Sequence, residues 1–305
     1  MNAIGIVAGL GTALLWAFTA ICFETATKRL GTLSVNVLRL VIAALLFLGL
    51  SALRTGSLFP TGLSAAALRD LVLSGVVGFV VGDLLLFQAL ADIGARLSML
   101  VYASVPAMTS VAGALFLGEA LTSRAVTGMG ITVSGIAFTV LSRKATPSSR
   151  ILPHRTRGIL LALGGSAGQT AGLLLGKRGA VGVDAFAATE VRVLAGLSGF
   201  LFIMLALGRR SKLPMSFRGV PQQERQSYRI GLLALCAGAV LGPFLGVSLG
   251  LKSMQLLPAG VAATLMATVP AMLIPISAIL LRERITWRES IGAVLALVGV
   301  AVLVT

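Results

Sequence analysis

Charge is what this sequence has least of. Only 11% of its 305 residues are Asp, Glu, Lys or Arg, against about 25% in an ordinary soluble domain. A chain of this length cannot meet water on all sides with so little polar surface, so a soluble protein with a large greasy core is excluded. Cysteine is nearly missing as well. Cys22 and Cys236 each lie inside an apolar run, which rules out a disulfide framework and a thiolate metal site. The one histidine, His154, stands between Pro153 and Arg155 in a polar stretch and reads as an ordinary loop residue. No cluster of His, Cys and carboxylate is present to hold a metal ion. A basic start followed by a small-residue cleavage site is also lacking: Lys28 and Arg29 come after the first apolar run, so that run is expected to be retained. The segment from Gly172 to Gly176, Lys177 and Arg178 is no phosphate loop, because the glycine spacing is too short and no Ser or Thr follows the lysine.

The 25 basic residues outnumber the 10 acidic ones, giving a net charge of +15. They lie between apolar runs without aromatic interleaving. That distribution excludes nucleic acid as a partner and suits loop charges that orient a membrane protein.

What is present is long apolar sequence, with a mean hydropathy of +0.99. Ten runs of membrane-spanning length cover about 3–23, 33–53, 71–90, 96–117, 125–141, 158–176, 185–207, 230–250, 257–281 and 288–304. Backbone amides in lipid must be satisfied within the segment, and the runs are continuous rather than alternating, so helices are expected and a barrel is not.

The chain also says the same thing twice. Residues 105–140 and 269–304 align without a gap at an offset of 164, with 13 of 36 positions identical. At an offset of 153, Gly5-Ile6 matches Gly158-Ile159, Arg39 matches Arg192, and Phe47-Leu48 matches Phe200-Leu201. Each copy therefore has five spans. Five is odd, so the second copy must run inverted, related to the first by a pseudo-two-fold axis in the membrane plane. The expected fold is all-α and integral to the membrane, ten helices as two inverted five-helix repeats: 1–145, a basic connector 146–157, and 158–305.

Loops on one side of the ten-span arrangement carry 17 Lys and Arg, and those on the other carry 6. The positive-inside rule puts the richer side in the cytoplasm and both termini in the periplasm. The polar connectors 142–157 and 209–229 are basic and serve either to set topology or to hold anionic lipid heads.

Ionisable residues within spans are costly and are functional suspects. Arg39 lies roughly 9 Å deep in span two and Asp83 roughly 12 Å deep in span three at 1.5 Å per residue, so the two are expected to pair, with Glu24 competing for Arg39. Asp83 has Pro243 as its apparent counterpart. Glu190 and Arg192 lie near the start of span seven, two residues apart and so on different helix faces. Trp16 and Gln169 occupy equivalent positions in the two copies. With Arg39, Asp83, Phe87, Tyr102, Phe244, Ser248, Thr264 and Thr268 they make the expected substrate lining, which suits a small amphipathic solute better than a metal. Pro106 and Pro270 should kink spans four and nine, and Pro243 and Pro275 add breaks. Glycines at 164, 168, 172 and 176 form one stripe and those at 238, 242, 246 and 250 another. Gly168, Gly172, Gly242 and Gly246 are thus candidates either for close packing or for sliding between helices. Glu119 and Glu283, at the ends of spans four and nine, are expected to accept hydrogen bonds from the free amides of the next helix start, which carries Thr122 or Thr286.

The duplicated pattern Pro-x12-Glu-x2-Thr-x-Arg-x3-Gly-x6-Gly resembles that of the EamA family in the drug/metabolite transporter superfamily. Gly118 keeps the usual glycine before Glu119, whereas Arg282 replaces it before Glu283. The resemblance covers the whole chain. It implies a non-enzymatic carrier of the bacterial inner membrane without a cofactor. It also implies a cavity lined by spans 1, 3, 4, 6, 8 and 9, with peripheral spans 5 and 10 available for a homodimer. Many members export amino acids or related metabolites. The expected partners are a small-molecule substrate and membrane lipids, and the chain is a monomer or homodimer. A passive facilitator or channel and a drug efflux carrier are the alternatives. An integral-membrane enzyme would need a polar catalytic cluster near one interface, which the sequence lacks.

Overall fold

The structure, a computed structural model, describes residues 2–142, 155–206, 225–269, 271–273, 276 and 286–304. Every regular element among the described residues is helical. Among the described residues, six helical stretches are long and apolar enough to cross a membrane: Ala3–Thr27, Ser34–Thr55, Ala65–Leu86, Thr156–Gly179, Ala185–Ile203 and Arg225–Leu256. Pro270, Pro275 and Glu283 lie outside the described residues.

Helix α1 (Ala3–Leu30) starts where Asn2 Oδ1 accepts hydrogen bonds from the amides of Ile4 and Gly5, satisfying donors that the first turn leaves free. Helix α2 (Thr32–Thr55) ends at Gly56, whose φ of +70° is open to a residue without Cβ. Next come α3 (Ala65–Gly75), seven π-helical residues (Val76–Gly82) and α4 (Asp83–Tyr102) without interruption. Helix α4 stops four residues before Pro106, where a proline ring would clash with the Tyr102 carbonyl, and α5 (Val105–Leu117) begins afresh with that proline in its first turn. The apolar runs of the sequence place a turn between spans three and four near residues 91–95. Helix assignment is continuous through that stretch to Tyr102, with a further break at Ala103–Ser104.

Helix α6 (Ser123–Ser142) closes the first copy. The second copy holds α7 (Arg155–Gly179), α8 (Ala185–Ala206), α9 (Arg225–Ala239), a second π segment (Val240–Gly246), α10 (Val247–Leu256), α11 (Ala259–Met266) and α12 (Trp287–Val304). The two π segments have equal length and stand 164 residues apart. The second holds Pro243, where the sequence leads one to expect a break in the helix.

The copies are interleaved. Helix α7, from the second copy, runs antiparallel along α3 and α4 of the first: a Cβ on Gly172 would lie 2.8 Å from Gly78 Cα, and one on Gly168 2.9 Å from Gly82 Cα. Helix α1 does the same against the α9–α10 stretch, where Gly242 faces Thr19 and Gly246 faces Trp16. These contacts map onto each other under the 153 and 164 offsets. Both glycine stripes are therefore close-packing surfaces, which lets helices approach where hydrophobic burial cannot drive them together. Helix α5 runs parallel to α7, with Thr109 bonded to Thr170 and Glu119 to Lys177, so the chain reverses between Ile93 and Val105. Helices α6 and α12 form an antiparallel seam in which the repeated Gly-x6-Gly pattern meets itself: Gly135 touches Gly292 and Ala296, and Gly299 touches Gly128 and Thr132.

Candidate functional site

Asp83 is the first residue after the first π segment. A π turn carries one residue more than an α turn and so re-aims the side chains beyond it. Here it brings Asp83 Oδ2 to 2.8 Å from Arg39 Nη2 of α2. Both side chains keep some access, at 16% for Arg39 and 21% for Asp83, so the pair is not completely sealed. Arg39 also lies 5.7 Å over the Phe23 ring, and its Nε has no hydrogen-bond partner among the described residues. Tyr102 lies within electrostatic reach of Asp83. Gln169 is half-buried with its backbone against Gly82. Trp16 occupies the matching place against Gly246 and borders the same apolar cluster as Tyr102, formed by Val105, Leu173, Leu265 and Met266. Trp16, Asp83, Tyr102 and Gln169 thus lie where helices of the two copies meet, with Arg39 held against Asp83.

The other predicted lining residues are placed differently. Ser248, Thr264 and Thr268 are fully buried, and their hydroxyls donate to Phe244 O, Gly260 O and Leu265 O within one to two turns of their own chain. Phe244 stacks edge-on against Phe47 and Phe186, at 4.8 and 5.7 Å between centroids. Phe87 lies one turn beyond Asp83 on α4, and its side chain falls outside the described ones, as does that of Glu24. Pro106 is buried in the first turn of α5. The counterpart of Asp83 is Val247, the first residue after the second π segment, and not Pro243. Few identities mark this stretch of the repeat, so only the matched π segments and helix contacts reveal the register.

Glu119 also departs from expectation. Its Oε2 accepts from the amide of Ala259, 2.6 Å away, at the start of α11 in the other copy. Its Oε1 takes Lys177 Nζ at 2.5 Å, and the same ammonium donates to Leu257 O. The next helix start is capped by Thr122 Oγ1, which accepts from Ala125 N. Thr286 likewise caps α12 in a reciprocal arrangement with Glu289. Sequence reasoning misses Lys177, whose place at the membrane edge resembles that of any loop cation.

An apolar groove of about 760 Å3 lies between α5 and α7, bordered by Met108, Ala112, Thr170 and Leu174. Val111, Leu115 and Phe116 on its α5 rim are exposed, so it opens towards the lipid side of the bundle.

The pattern of the EamA-like transporter family matches residues 3–141 and 156–305. The chain belongs to the EamA-like transporter family. The two matched segments leave residues 142–155 between them. A solved structure described only as "Crystal structure of protein" superposes on this EamA-like chain with a TM-score of 0.75 at 17% identity, over 100% of this chain and 97% of the other. That likeness extends to the fold alone. No curated protein matches the sequence. Among the described residues of this family member, no group of three or more His, Cys, Asp or Glu is arranged to hold a metal ion.

Proposed function

We propose that this EamA-like protein is a secondary carrier that exports a small polar or amphipathic metabolite, such as an amino acid, across the bacterial inner membrane. It works by alternating access, with two inverted five-helix halves, ten spans in all, rocking about a central site. The observation that carries this reading is the Arg39–Asp83 pair, not completely sealed at 16% and 21% exposure. An ion pair held in a membrane interior costs desolvation that nearby apolar packing would avoid. It is best explained by a solute that engages it, flanked by Trp16, Tyr102 and Gln169. Antiparallel contact between the matched helices α6 and α12 supports the inversion.

Proteoliposome uptake with a panel of amino acids, nucleosides and drugs tests the proposal. Saturable flux and counterflow favour the carrier. Flux that rises without saturation favours a facilitator or channel. Drug efflux is a second reading, supported by the lipid-facing apolar groove between α5 and α7. On that reading hydrophobic drugs, and not amino acids, show counterflow.

A further inference from the structure

A second site is built away from the central pair, at the end of the bundle where α2 finishes and α8 begins. A pocket of about 310 Å3 is enclosed there by α2, the segment after it and the turn before α8. At about 30 Å3 for a water-sized atom, it has room for a solute of roughly ten heavy atoms. Glu190 forms part of its wall, although only 1% of the residue is exposed. Ser51 Oγ donates to Glu190 Oε2, while Glu190 Oε1 has no partner among the described residues. A buried carboxylate oxygen without a donor is unusual, since burying a charged group is tolerated when it is paired.

The cations nearest the pocket are engaged elsewhere. Arg54 at the rim lies 3.8 Å from Asp184 and 5.5 Å over the Phe186 ring, so those two charges offset one another. The other nearby cation, Arg192, is two residues from Glu190 and turns the opposite way, with its guanidinium 5.3 Å over Phe79. That leaves the Glu190 carboxyl on the wall without a cation of its own, beside a serine oxygen and the side chains of Phe47 and Phe186. A carboxylate with aromatic faces is the chemistry that receives an organic cation. We propose that this pocket binds a small organic ammonium ion, its nitrogen on Glu190 and Ser51 and its carbon chain against Phe47 and Phe186. The site is separate from the Arg39–Asp83 pair and does not depend on the transport reading.

Calorimetric titration of the full chain in detergent tests this, with n-butylammonium as probe and n-butanol as its neutral counterpart at constant ionic strength. Saturable binding is expected for butylammonium alone. Losing a charge-assisted hydrogen bond weakens such binding by about tenfold or more, so Glu190→Gln should lose at least that. Ser51→Ala should bind a few-fold more weakly, and Arg54→Gln, which removes the competing cation, should bind more tightly. Asp83→Asn should bind as the parent does even where it no longer transports. Equal affinity in folded Glu190→Gln and parent protein overturns the assignment. So does equal binding of butanol, or an absence of saturable butylammonium binding in the parent.

Discussion

Lys177 Nζ lies 2.5 Å from Glu119 Oε1, joining the loop after α5 in the first copy to the end of α7 in the second. The carboxylate's other oxygen holds the Ala259 amide, and the ammonium's other bond is to Leu257 O. One pair thus ties α5, α7 and α11 together at a single end of the bundle. Both side chains are mostly buried, at 17% and 15% exposure, so the link is poorly screened by water.

Removing one partner of a buried ion pair costs about 3–5 kcal/mol. Lys177→Met and Glu119→Gln are therefore each expected to lower the unfolding midpoint in detergent and to expose this end of the bundle to thiol reagents at introduced cysteines. The charge swap Glu119→Lys with Lys177→Glu restores the ion pair but supplies no acceptor for the Ala259 amide, so it should recover only part of the loss. Full recovery would mean that the cap on α11 contributes nothing.

Asp83→Asn keeps the shape of the side chain and removes its charge. Transport in proteoliposomes should fall at least tenfold while the protein still purifies as a folded species. Unchanged transport across the pH range would remove Asp83 from the mechanism. Arg39→Ala should be more damaging to stability than Asp83→Asn, because it leaves a carboxylate in the bundle without its 2.8 Å partner.

The glycine contacts predict a contrast between two positions. Gly172→Leu forces a side chain onto Gly78, where even a Cβ would come within 2.8 Å. Overpacking of this kind costs about 1–3 kcal/mol, and here it separates α7 from α3 and α4. Gly49→Leu adds the same atoms at an exposed position with nothing within 4 Å and should be silent. Thermal unfolding of the two variants side by side measures the difference.

The excess of Lys and Arg in one set of loops predicts that both termini face the periplasm. A C-terminal alkaline phosphatase fusion should be active and a fluorescent protein fused at the same place dark. The reverse pattern would turn the protein over in the membrane without changing any contact described above.

Much of this architecture is legible in the residue order. Apolar runs of spanning length must become helices because lipid offers the backbone no hydrogen bonds, and the repeat is plain in residues 105–140 and 269–304. Matching depth brings Arg39 and Asp83 into reach of one another but leaves Glu24 as a competitor, and the structure shows the Asp83 contact. Other features are not legible in this way. The π segments at Val76–Gly82 and Val240–Gly246 share a Gly-x3-Gly pair, and the second holds Pro243, but those residues do not by themselves say that the helix widens there, that Asp83 is turned by it or that Val247 is its counterpart. Ser248, Thr264 and Thr268 look like cavity polar groups in sequence, but their hydroxyls turn back to nearby carbonyls, as hydroxyls in apolar surroundings do when no other acceptor is near.

By itself the sequence determined the membrane setting, the helical class, the doubled organisation and the family, because each depends on composition and spacing along the chain. Tertiary structure alone decided that α7 packs against α3 and α4, that Glu119 caps a helix 140 residues away, and which polar groups are fully buried. Those outcomes depend on contacts between segments far apart in the chain, and helix packing in lipid is chosen by local fit between surfaces and not by any periodicity that a single segment displays.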